Sequence, residues 1–257
     1  MKASDDHDGV GPARGVLRDA FTKGDFQHSR HAPPETLAGL VQHYWCVRWD
    51  VGDQPQMVQT LPHPNVHMVI ETNESRIAGI TPGRFTRTLE GQGAVFGVKF
   101  RAGGFRPFLG RSVASIANRT MPIASVFSDA DEMEQAVRAS TEPEQKIAVM
   151  NTFLAARQPP ADANVDRVAR IVDSIVHDRS INRVEDLAER EDLGVRALQR
   201  LFGAYVGASP KWVINRYRMH EAVEQIASGA PPDWITLALD LGYFDQAHFI
   251  RDFKALV

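Results

Sequence analysis

The chain has 257 residues, enough for two domains, and its 43% hydrophobic and 24% charged residues are those of ordinary globular protein. A single cysteine, Cys46, excludes an internal disulfide framework and a multi-thiolate zinc site, and no run approaches the roughly 18 apolar residues of a membrane helix, so a reducing cytoplasm is the expected home. A net charge of −3 excludes binding to nucleic acid by bulk charge, so any phosphate-binding surface must be local.

Residues 1–13 read as a tail without structure. Between residues 26 and 100 the pattern is β-like: residues 43–49, 65–71 and 83–89 each alternate apolar with polar, and 94–100 is a more continuously apolar strand. No helix long enough for a crossover separates them, which predicts an antiparallel sheet or small barrel. After Gly103-Gly104 the period changes, and 129–140, capped by Ser128 or Asp129, and 144–156, introduced by Pro143, are expected as helices on that sheet. Gln158-Pro159-Pro160-Ala161-Asp162 then breaks every period and marks a linker over 158–163. Beyond it the spacing predicts only helices, at about 165–178, 183–190, 195–205, 210–228, 233–240 and 245–256. The expected fold class is α+β: a β-rich sensing or dimerisation domain over 14–157, then an all-α domain over 164–257.

That last stretch repeats itself. Leu187-Ala188 followed by Leu198-Gln199-Arg200-Leu201-Phe202 is echoed by Leu237-Ala238 followed by Phe249-Ile250-Arg251-Asp252-Phe253. Each copy has a short helix, a polar turn and a second helix with an apolar pair at i, i+4 around an arginine. Two helix-turn-helix units joined by a long helix suit successive turns of a DNA major groove. Burying Leu198, Leu201 and Phe202 leaves Arg196, Gln199 and Arg200 outward, where arginine can pair with guanine and glutamine with adenine. In the second unit Phe249 and Phe253 turn inward, leaving Gln246, Ala247, Ile250 and Arg251 for the groove and His248 for a phosphate. Between Asp192 and Glu221 there is no acidic residue, while Arg196, Arg200, Lys211, Arg216 and Arg218 all fall there, which predicts a local basic face.

The string Gly242-Tyr243-Phe244-Asp245-Gln246, then Phe249-Ile250-Arg251-Asp252-Phe253-Lys254, together with Gly207-Ala208-Ser209-Pro210, resembles the AraC/XylS family DNA-binding domain over about the last 90 residues. Upstream, Arg14-Gly15-Val16-Leu17, Tyr44-Trp45, Leu61-Pro62-His63-Pro64 and Phe100 to Phe105 resemble the poorly characterised N-terminal domain of many actinobacterial AraC-like regulators. The resemblance implies a one-component transcription regulator acting on a double-stranded DNA operator. A small-molecule effector and homodimerisation through the N-terminal domain are further expectations. Three departures stand out. Glu191-Asp192 replaces an apolar residue and a turn glycine, so Glu191 is expected to face the second helix near Leu198. The chain ends at Val257, before the family's closing helix, which reads as a truncation. Ala102 takes the place of the proline usual before Gly103-Gly104.

Other constellations are weaker. Tyr44, Trp45 and His67 are candidates to line an effector pocket, although neighbours on a strand face opposite ways and either Tyr44 or Trp45 must be core or surface. His63, His67 and Glu71 share a strand face, but such histidines are more often structural than ligands, and no metal or other cofactor is expected. Arg101-Ala102-Gly103-Gly104 reads as a glycine turn before an anion nest, and Cys46 as packing before a redox sensor. The rival functional classes are an interaction module with a degenerate DNA-binding unit, and an enzyme with an appended reader. DNA-repair methyltransferases of the second kind need four cysteines, and no Ser/His/Asp, P-loop or paired-carboxylate motif is apparent, so no catalytic residue is expected.

Overall fold

The computed structural model describes residues 5–8, 25–227, 234–240 and 243–256. Residues 14–17, Leu241, Gly242 and Val257 of the sequence readings lie outside the described residues, as does the expected tail apart from Asp5–Asp8. Those four residues form β1, parallel to β2 (Asp25–His31), where the sequence predicts no structure. Without it β2 would be a sheet edge, and an edge offers backbone donors and acceptors to any extended segment nearby.

Seven strands make the main sheet, in the order β1, β2, β3 (Val41–Asp50), β8 (Gln92–Phe100), β5 (His67–Glu71), β6 (Ser75–Ala78), β9 (Thr120–Met121). All its pairings but the first are antiparallel. The antiparallel pair β4 (Gln56–Thr60) and β7 (Phe85–Leu89) forms a separate two-stranded sheet. The expected strands at 43–49 and 94–100 lie inside β3 and β8, while Asn65 and Val66 precede β5. The fold class is the α+β one that the patterning implied.

Alternation gives the sheet two different apolar faces. Tyr44, Phe96, Val98, Met68, Ile70 and Ile77 share one, packed under α2 (Asp131–Ala139) and α3 (Pro143–Ala155) through Met133, Val137, Met150 and Leu154. The short α1 (Arg106–Leu109) brings Phe108 into an aromatic chain with Phe100, Phe127 and Phe153. Neither Ser128 nor Asp129 caps α2, whose N-cap is Ala130. On the other face Trp49, Val69 and Val95 meet Leu89 and Val58 of the two-stranded sheet. Here Trp45 and Trp49 lie against Gly97 and Gly93 of the neighbouring strand, where an added Cβ would come within 2.0 and 2.1 Å of the indoles.

Asp162 caps α4 (Ala163–His177), its carboxylate accepting from the Asn164 N–H at 3.0 Å. Then follow α5 (Val184–Arg190), α6 (Val195–Tyr205), α7 (Pro210–Ala227), α8 (Trp234–Asp240) and α9 (Gln246–Leu256). The segment read as a linker is tied down: Gln158 donates to the Thr36 carbonyl at 2.9 Å, and the Tyr205 hydroxyl to Asp162 at 2.7 Å. Ile80 and Ala102 of the β half are buried in the same cluster as Val168, Ile171, Leu187, Leu198 and Phe202.

Candidate nucleic-acid interface

The two helix-turn-helix units are built alike at the level of single hydrogen bonds. In the first, the Leu193 N–H donates to the Ala188 carbonyl at 2.9 Å and closes the turn between α5 and α6; fifty residues on, the Tyr243 N–H donates to Ala238 at 2.9 Å between α8 and α9. Small alanines let each turn close on its first helix. Leu198 and Phe249, each in the first turn of its second helix, are both fully buried. The start of α9 is capped by Asp245, whose carboxylate accepts from the His248 N–H at 2.7 Å. In α6 Gly194 is the N-cap, and its carbonyl accepts from Ala197 and Leu198.

Arg196, Gln199 and Arg200 are exposed on α6, and Ala247, His248, Arg251 and Lys254 on α9, with Gln246 half-buried at its start. Ile250 is half-buried and packs against the cluster of Phe249, Met219 and Ala238, so it offers an edge and not a whole side chain. His248 reaches Asp252 one turn on, at 3.6 Å, and meets the Tyr243 ring edge-on. Lys211 is exposed at the start of α7, where the Ser209 hydroxyl accepts from the Trp212 N–H at 3.2 Å. With 18 residues, α7 spans about 27 Å.

Arg216 and Arg218 do not belong to the expected basic face. Arg216 is 2% exposed, donates to the Pro82 carbonyl and lies 4.6 Å over the Trp212 ring, and burial lowers its pKa to about 10. Arg218 is wholly buried among backbone carbonyls. A count along the chain cannot show which side of α7 faces the protein, and both guanidiniums are on that side.

Glu191 does not press on Leu198 either. Helix α5 ends at Arg190, and Glu191 turns to α4, where Arg167 donates to its carbonyl at 2.7 Å and pairs with its carboxylate at 4.0 Å. Asp192 is the position under strain, with φ at +49° where the resemblance leads one to expect glycine. Asp192→Gly should stabilise the protein by about 0.5–1 kcal/mol, and Asp192→Val destabilise it by about 1–2 kcal/mol. Urea midpoints of the full chain measure both, and a glycine variant less stable than the parent would show that the aspartate holds the turn.

The three effector candidates separate. Tyr44 is fully buried under α3, its hydroxyl donating to Asn151 at 2.6 Å, with its pKa raised by burial; it is core, not pocket lining. Trp45 and His67 share the opposite face with ring centroids 6.2 Å apart, beside His43 and Lys99. Sequence reasoning did not single out His43 and Lys99, although the register Lys99 opposite both His43 and His67 follows once the strands are aligned. Glu71 is held by Arg76 and Arg87, each at 2.7 Å, away from His63. Among the described residues no three His, Cys, Asp or Glu side chains are placed to hold one metal ion, and no helix is long and apolar enough to cross a membrane. Burial raises the free Cys46 thiol to about 11.

Two family models match the chain: residues 187–257 match a helix-turn-helix domain, and residues 29–122 a domain of unknown function, DUF6597. The chain is a DNA-binding transcriptional regulator. Its reading domain is of the AraC type. No curated protein matches. Among solved structures the chain is similar to ToxT from Vibrio cholerae O395, at 12% identity over 91% of this chain and 94% of that one with a TM-score of 0.36. It is also similar to ToxT bound to (E)-4-(8-methylnaphthalen-1-yl)but-3-enoic acid, at 13% identity over 91% and 95% with a TM-score of 0.40.

Proposed function

We propose that the protein is a one-component regulator whose two helix-turn-helix units read consecutive major-groove segments of one operator. In this reading Arg196, Gln199 and Arg200 contact bases from α6, and Gln246, Ala247 and Arg251, with the edge of Ile250, contact bases from α9. Lys211 and His248 contact phosphates. Residues 164–257 are the reading domain, joined through 158–163 to a sensing domain over 14–157, and the chain carries no catalytic group. What supports it most is the repeated turn: the same backbone bond recurs fifty residues apart, with an exposed arginine two residues beyond a buried apolar anchor each time. A small-molecule effector would meet the face that carries Trp45 and His67. The work takes place where the DNA is, in the cytoplasm.

Selection from random-sequence DNA with the full chain should enrich a defined motif. On that motif Arg196→Ala or Arg251→Ala should lose about 1–3 kcal/mol of affinity with no change in melting temperature, since both side chains are exposed. Lys211→Ala should chiefly flatten the salt dependence, by about one unit of slope. Equal binding by the arginine variants and the parent would remove these residues from the interface.

A further inference from the structure

The core of the second reading unit is not made by that unit alone. Leu61, in the loop from β4 to β5, is 1% exposed and belongs to the apolar cluster of Met219 and Ala222 on α7, Ala238 on α8, and Tyr243 and Phe249. Two residues later the His63 ring stacks on His220 of α7, centroids 4.0 Å apart and planes 7° from parallel, and it also adjoins Tyr217 at 5.8 Å. A third tie is the Arg216 guanidinium on the Pro82 carbonyl. The first unit is fastened to the β half elsewhere, through the Ser112 hydroxyl, which donates to the Gly203 carbonyl on α6 at 2.9 Å, and through Val113, which lies against Gly207. Both units are thus tied to the β half by separate contacts.

From this juxtaposition we propose that Leu61 and His63 are positioning residues for operator recognition: they set α9 against α6, and with it the half-site spacing the protein accepts. The inference rests on the two-unit reading given above. A helix such as α7 fixes a distance between two units but leaves the last unit free to swing about its end. Leu61 shares one buried apolar cluster with residues of α7, α8 and the first turn of α9, so it bears on the angle that α7 alone does not hold. Inserting one base pair rotates the second half-site by about 34° and moves it by about 3.4 Å. A fixed pair of helices tolerates neither change, whereas a swinging pair follows both.

The test uses the full chain and the motif recovered by selection, with one or two base pairs added or removed between the half-sites and binding followed by fluorescence anisotropy. The parent should lose about tenfold or more in affinity on a one-base-pair change. Leu61→Ala should bind the original spacing more weakly yet lose only about threefold across the series, while Leu61→Met restores the parent's profile. A purely structural defect would weaken every spacing equally. If Leu61→Ala does not fold, His63→Ala, which removes the ring stack and leaves the leucine, carries the same expectation. Folded variants with the parent's spacing profile would overturn the proposal. A parent that selects no motif overturns the two-unit reading itself, and one that selects a motif without spacing preference overturns only the positioning role.

Discussion

Replacing Arg218 with methionine is expected to lower the unfolding free energy by about 3–5 kcal/mol, the largest effect of any single side chain in the helical half. Its guanidinium is wholly buried and every nitrogen is engaged. Nη2 donates to the carbonyls of Ile175, Asp178 and Ile181 at 3.1, 2.8 and 3.1 Å, Nη1 to Glu221 at 2.5 Å, and Nε to Asn182 at 3.3 Å. Ile175 is in the last turn of α4, where carbonyls have no helical partner, so the arginine closes that end and puts positive charge on its dipole. Methionine fills the volume but takes the side-chain donor from three carbonyls, of which Asp178 alone keeps a backbone partner, the Ile181 N–H at 3.2 Å. Glu221 keeps only Arg179, at 3.4 Å. Arg218→Lys should recover less than about half of the loss, because one ammonium cannot reach acceptors spread over a fork. Chemical denaturation of the full chain measures both, and a methionine variant within about 1 kcal/mol of the parent would show that water replaces the guanidinium.

Acid should unfold the β half at a pH where most carboxylates are still charged. His43 and His67 are held at about 2 and 3, and His63 well below its ordinary value, first by burial and then by the nearby charge of Lys99. In the unfolded chain each titrates near 6.5, so below that pH the unfolded state binds more protons and stability falls as pH falls. The contribution is fully present above pH 6.5. By pH 5 His43 and His67 have each given up about 2 kcal/mol, together about 4 kcal/mol, a large share of the 5–15 kcal/mol typical of a folded domain, and His63 acts in the same direction. Trp45, edge-on to His67, offers a fluorescence signal for the change. An unfolding free energy that stays flat between pH 7 and pH 5 would mean that these rings are solvated. His43→Gln should flatten the profile, since it removes one of the titrations that drive it.

Much of the helical half was legible because helix period, turn residues and caps are local properties. The bounds of α5, α6 and α7 fall within a residue or so of the expected ones. Five strands were missed for reasons of composition and length, among them Asp5–Asp8, inside a stretch read as tail, and Thr120–Met121, of two residues. Asp25–His31 is mostly polar and lies near the sheet's edge, Gln56–Thr60 is half exposed, and Ser75–Ala78 is four residues long. Arg216 and Arg218 were misjudged because their partners lie far off in sequence, at Pro82 and in the segment from Ile175 to Asn182. Glu191 was misjudged because its partner, Arg167 on α4, lies 24 residues back in the chain, where helix spacing gives no sign of it. Leu61 and His63 stood in a segment singled out by resemblance, yet no local pattern says that a loop between two strands will enter the core of a helical unit.

Leu61 also bears on modular recombination. Regulators of this architecture invite chimeras in which one protein's reading half is fused to another's sensor, on the assumption that each half carries its own interior. Here the reading half would leave behind Leu61, Ile80 and Ala102, and bring with it a hollow beside Phe249 and another beside Leu198. A functional graft must transplant those three side chains, or design replacements for them, before any question of signalling arises.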